Sequence, residues 1–124
     1  MEGADVNNKY HARKVEIDGY QFDSQAEARR YQELLLLEKA GKIARLVVHP
    51  RFVLQDSFVR PDGQRVNPIT YKADFQYLER ENGKVVTVVE DVKGGRATQT
   101  AAFSIRWRLF MVRYPRIDFR VVEA

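Results

Sequence analysis

The stretch KVVTVVEDVKGG, residues 84–95, decides how the rest of the chain is read. Its valines favour a β-strand. A core strand ordinarily carries apolar residues to its end. This one breaks into Glu90, Asp91 and Lys93, and two glycines then stop it. Side chains alternate along a strand, so Asp91 and Lys93 share one face while Glu90 points to the other. A carboxylate and an ammonium therefore stand side by side at a strand end.

Just upstream, residues 69–78 (ITYKADFQYL) read as a second strand, and Glu81-Asn82-Gly83 reads as the tight turn of a hairpin joining the two. With the turn centred near residue 82, Asp74 falls opposite residue 90 or 91. A slip of one residue would carry it to the wrong face. In this register two carboxylates converge, and they repel each other unless a cation compensates. Lys93 is one such cation. A hard divalent ion such as Mg²⁺ is another, because it takes carboxylate and carbonyl oxygens and keeps several waters. Such an ion activates water and stabilises charge on a phosphate. A neighbouring lysine orients that water or neutralises the developing charge.

Working outward, KVEIDGYQF (residues 14–22) alternates about Asp18-Gly19, a hairpin signal. In DSQAEARRYQELLLLEKAGK, Ser24 can cap a helix over residues 25–40 and Gly41 can end it. Glu27, three residues after Ser24, also fits a capping box. Residues 43–48 and 51–54 are short and β-like, separated by His49-Pro50, and Pro61-Asp62-Gly63 is a turn. Phe103, Trp107, Phe110, Met111 and Tyr114 recur at helical spacing, predicting a second helix over residues 100–112 that Pro115 closes. Residues 117–122 make a last strand. The order is helix, three strands, helix, strand, behind an N-terminal hairpin. That predicts an α/β domain with a central mixed sheet flanked by helices. Residues 1–8 are expected to be disordered, which leaves 9–124 as a single domain.

At 124 residues and 44% hydrophobic, the chain can fill one core. No apolar run approaches ~18 residues, and the polar start lacks the apolar centre of a signal peptide, so no membrane partner is expected. The absence of cysteine excludes disulfides and thiolate metal sites and fits a cytoplasmic protein. The net charge of +4 is uneven: from Lys93 onward seven basic residues face only Asp118 and Glu123. Fourteen arginines to seven lysines favour bidentate phosphate contact. Arg106 and Arg113, seven residues apart, share a helix face and are candidates to touch DNA phosphates, as are Arg96 and Thr100. A solvated helix face accounts for the arginines equally well, and Thr100 also suits a helix cap. Phe103 and Trp107 read as core, with base stacking as the alternative. His49 reads as a loop histidine, since no second histidine stands at ligand spacing.

Asp74 followed by Asp91-Val92-Lys93 resembles the D…(D/E)xK signature of the PD-(D/E)xK nuclease superfamily, which has a restriction-endonuclease-like αβββαβ core. Over most of the chain, YHARKVEIDGYQFDSQAEARRYQEL, PITYKADFQY, VVEDVKG and FSIRWRLF look like a family of small phage and prophage proteins grouped with Holliday-junction-resolvase-like nucleases. The resemblance implies a Mg²⁺- or Mn²⁺-dependent endonuclease acting on branched DNA as a homodimer. It implies Glu27, Asp74 and Asp91 as metal acids, the Val92 carbonyl as a further ligand, and Lys93 as the catalytic lysine. Residue 73 departs from the pattern, being alanine rather than proline. Glu90 competes with Asp91 for the metal role if a bulge shifts the strand. A nicking or end-cutting nuclease of phage or transposon type, and a DNA-binding protein that does not cut, are the alternative functions on the same core.

Overall fold

The computed structural model describes residues 14–94 and 100–123. The expected disorder of residues 1–8 lies outside that range. The chain opens with a two-stranded hairpin, β1 (Val15–Ile17) and β2 (Tyr20–Phe22). Helix α1 (Gln25–Lys39) follows, with Ser24 Oγ accepting the Glu27 N–H at 3.1 Å. Its Ala28, Tyr31 and Leu34 recur every third position and are buried. Strands β3 (Ile43–Val48) and β4 (Arg51–Gln55) come next, then the short pair β5 (Phe58–Val59) and β6 (Arg65–Val66). β7 (Ile69–Lys72), β8 (Phe75–Glu81) and β9 (Lys84–Lys93) lead to α2 (Ala101–Arg113) and β10 (Asp118–Glu123).

The central sheet runs β10-β9-β8-β3. It is mixed: β3, β8 and β9 are antiparallel neighbours, while β10 lies parallel to β9. A parallel neighbour needs a crossover, and α2 is that crossover. The expected αβββαβ order is therefore the order found, with the N-terminal hairpin in front. The β8–β9 register is set by a two-residue turn in which Asn82 (φ 52°) and Gly83 (φ 79°) are both left-handed. That is the turn whose twist matches the flanking strands. Glu81 pairs with Lys84 and Phe75 with Glu90, so Asp74 enters the sheet level with Asp91.

Two apolar clusters sandwich the sheet. Phe22, Tyr31, Leu34, Phe75, Tyr77, Val88 and Val92 pack between it and α1. Leu54, Tyr71, Ala73, Val89 and Phe110 pack on the opposite face, with Phe52, Tyr114 and Phe119 against them. The alternation along β9 is visible in this division: Val88 and Val92 face α1, and Val89 faces α2.

The expectation of one strand over 69–78 is corrected. β7 pairs with β4, whereas β8 pairs with β3 and β9, so the chain changes partners at Ala73-Asp74. Ala73 N–H goes to the Pro50 carbonyl at 3.0 Å and Asp74 N–H to the Glu90 carbonyl at 3.1 Å. The β5–β6 pair was not foreseen, although the turn between its strands was. Among the described residues no helix is long and apolar enough to cross a membrane.

Candidate metal and phosphate site

A cleft of about 510 Å³ opens at the end of the sheet where β9 finishes and β8 begins. Glu27, Asp74, Asp91, Val92 and Lys93 all line it, so the residues singled out in the sequence converge. Glu27 comes from the first turn of α1. Its backbone N–H is given to the Ser24 cap, but its side chain turns into the cleft. Glu27 is only 9% exposed, and its Oε1 has no hydrogen-bond partner among the described residues. Such an atom ordinarily carries a desolvation penalty. Burial pushes the Glu27 carboxyl up from its ordinary range, and the charges of Asp23 and Asp91 add to this.

Asp74 stands at the switch between β7 and β8. One carboxylate oxygen accepts the Val92 N–H at 2.6 Å. Burial, then the charges of Asp91 and Glu27, push its carboxyl up to about 8. Burial and mutual repulsion both disfavour the charged forms of these crowded acids.

Asp91 is buried and its two oxygens are occupied differently. Lys93 Nζ pairs with Oδ1 at 2.9 Å, and the Tyr71 hydroxyl donates to Oδ2. Lys93 Nζ also lies 4.1 Å from the centre of the Phe103 ring, a cation–π contact. Asp91 and Lys93 thus form a largely buried ion pair. Val92 gives its N–H to Asp74 and lines the cleft between the two acids.

Glu90, the rival to Asp91, is elsewhere. It is fully buried on the α1 face, bound by Arg30 through Nε at 2.8 Å and Nη2 at 2.6 Å and by the Tyr77 hydroxyl at 2.5 Å. No bulge interrupts the β8–β9 register, so Glu90 stays on the face opposite to Asp91.

The candidates for DNA contact divide. Thr100 and Arg106 line the cleft. Thr100 also caps α2, its Oγ1 accepting the Phe103 N–H at 3.1 Å. Arg113 does not line the cleft. Seven residues place it about 10 Å further along the helix, where it pairs with Asp56 at 3.3 Å. Arg96 lies outside the described residues. Phe103 is buried beside Lys93, and Trp107 is half-buried.

Several cleft residues escaped the sequence reading. Arg51 and Lys72 are cross-strand partners on β4 and β7 and put two more cations on the wall. Asp23 and Tyr71 line it as well. His49 is not part of the cleft lining, but it lies beside two of the cleft acids. One ligand atom each from Glu27, His49 and Asp74 can be chosen so that all three lie within 4.8 Å of one another. A mixed carboxylate–imidazole set of this kind needs no second histidine. Desolvation, then the Lys72 charge, lowers the pKa of its imidazole.

Fold and site together define an α/β protein with an acid–lysine cleft at one end of a mixed sheet and His49 beside its acids. The chain belongs to the family described as protein of unknown function (DUF1064), whose family model matches residues 7–123. No curated protein and no solved structure matches it.

Proposed function

We propose that this protein is a metal-dependent DNA endonuclease of the PD-(D/E)xK type, acting on branched DNA. The observation that carries the reading is the convergence of Glu27, Asp74, Asp91 and Lys93 on one open cleft, with cations on its walls. The donor set fits a hard divalent ion such as Mg²⁺ or Mn²⁺: Asp74 and Asp91 would hold it, with Glu27 alongside. Buried carboxylates crowded this closely, one with an oxygen that meets no donor among the described residues, suit a bound cation. When bound, the ion supplies charge neutralisation at a phosphate and an acidified water.

The chain's own groups have separable roles. Tyr71 fixes the rotamer of Asp91 through its hydroxyl. Lys93, held by Asp91 and the Phe103 face, offers an ammonium to the water or to the charge developing on phosphate. Arg51, Lys72 and Arg106 suit the phosphates on either side. A four-way junction has two-fold symmetry, which a homodimer would match. A protein that only bound DNA would gain nothing from three acids repelling the phosphates in its basic cleft.

The test is cleavage of an end-labelled four-way junction, with flap, duplex and single-strand controls, in Mg²⁺, Mn²⁺, Ca²⁺ or EDTA. Cutting in Mg²⁺ or Mn²⁺ that disappears in Asp91→Ala is expected. Metal-independent binding without cutting would replace the nuclease by a DNA-binding protein, and preference for flaps or ends would replace the junction substrate.

A further inference from the structure

The geometry points to His49 as a metal ligand that, with Glu27 and Asp74, makes this cleft select Mn²⁺ over Mg²⁺. The inference rests on the preceding reading only in placing a divalent ion beside Asp74; it does not require that DNA be cut.

The three ligand atoms fall within 4.8 Å of one another, a span that small side-chain rotations would close around one ion. Glu27 adds an independent reason to place an ion there: the residue is 9% exposed, and its Oε1 has no hydrogen-bond donor among the described residues, its carboxyl instead meeting that of Asp74. Asp91 is less available to the same ion, since Lys93 and Tyr71 hold its two oxygens. The backbone ties the two outer ligands together: His49 N–H donates to the Asp74 carbonyl at 2.9 Å. A shift of one therefore moves the other.

His49 has a left-handed φ of 55°, a region in which histidine is among the better tolerated residues. That backbone carries the chain from β3 into β4 while leaving the imidazole beside Glu27 and Asp74. The Phe22 ring, 5.6 Å away between centroids, packs near it on the core side.

The chemical consequence is selectivity. Carboxylate and water suit Mg²⁺ and Mn²⁺ alike, whereas an imidazole nitrogen favours first-row transition ions. Replacing one oxygen donor by nitrogen should tilt the site toward Mn²⁺, while Ca²⁺, which takes oxygen ligands, gains nothing from it.

The probe is Mn²⁺ itself, bound to the intact protein without DNA. Electron spin echo spectroscopy should show ¹⁴N modulation from a directly bound imidazole. Calorimetry should give an affinity for Mn²⁺ that falls at least about ten-fold in His49→Gly, with Mg²⁺ and Ca²⁺ affinities changed far less. Glycine suits the left-handed backbone, so this variant removes the ligand without adding strain. Retention of the wild-type circular dichroism checks its fold. Absence of ¹⁴N modulation in the wild type, or its persistence in His49→Gly, overturns the inference. Bound Mn²⁺ with ¹⁴N modulation but no DNA cleavage would uphold it and sink the nuclease. Cleavage without ¹⁴N modulation would do the reverse.

Discussion

Adjacent acids on β9 are assigned opposite duties, and substituting Glu90 separates them. In Glu90→Ala the Arg30 guanidinium loses both of its contacts to that carboxylate, and the Tyr77 hydroxyl loses its acceptor. Removing one partner of a buried pair typically costs about 3–5 kcal/mol. Arg30 still has Glu33 at 2.9 Å and partial access to water, which moves the value toward the low end. The orphaned Tyr77 hydroxyl adds about 1 kcal/mol. A loss of about 4 kcal/mol is expected, against a typical total stability of about 5–15 kcal/mol. For a chain of this size that lowers Tm by roughly 15 °C. Asp91→Ala removes repulsion from Asp74 while leaving Lys93 and Tyr71 without their acceptor, so its stability should stay within about 1 kcal/mol of wild type. Its cleavage should collapse. The assay is urea and thermal unfolding of Glu90→Ala, Arg30→Ala and the double variant, with Mn²⁺ titration of each. A Glu90→Ala protein that melts within about 3 °C of wild type would refute the reasoning. So would a well-folded Glu90→Gln that no longer binds metal.

The metal-free protein should lose stability as pH rises from about 4 to about 8. The folded state keeps protons on Asp74, whose carboxyl is pushed up to about 8, and on Glu27, raised in the same direction, that the unfolded chain has released. Asp74→Asn should flatten that slope in thermal melts at several pH values, and saturating Mn²⁺ should reverse it by favouring the ionised acids. Tyr71→Phe should cost about 1 kcal/mol and lower cleavage about ten-fold as Asp91 loses its anchor, a decline read from single-turnover rates. Gly83→Ala, which forces a side chain onto a φ of 79°, should cost about 1–2 kcal/mol in urea unfolding.

How far the chain could be read in advance depends on how local each determinant is. Asn82-Gly83 specifies its turn within two residues, and that turn carries Asp74 to Asp91. The Glu27 position follows from Ser24, three residues away. Glu90 was ambiguous because its countercharge, Arg30, lies 60 residues earlier on another element; nothing beside it in the sequence announces the pair. The break at Ala73-Asp74 was invisible for a related reason. Residues 69–78 alternate as one strand would, and only the positions of β4 and β3 divide them between two sheets. His49 was missed because its backbone conformation and its distance from Glu27 are tertiary facts. A histidine preceding proline reads the same way in any loop.

The two-residue turn between β8 and β9 also bears on the order in which the protein assembles. Short-range hairpins form on the microsecond scale, whereas parallel pairing waits for the closure of a long connection. Asp74, Asp91 and Lys93 therefore gather in the earliest and most local part of the sheet. Docking of α1 and of the turn after β3 then brings Glu27 and His49 to them, and β10 pairs only after α2 has crossed over. On this route the mutually repelling acids meet before most of the core exists to hold them. A divalent ion present during refolding should thus accelerate folding itself, beyond stabilising its product.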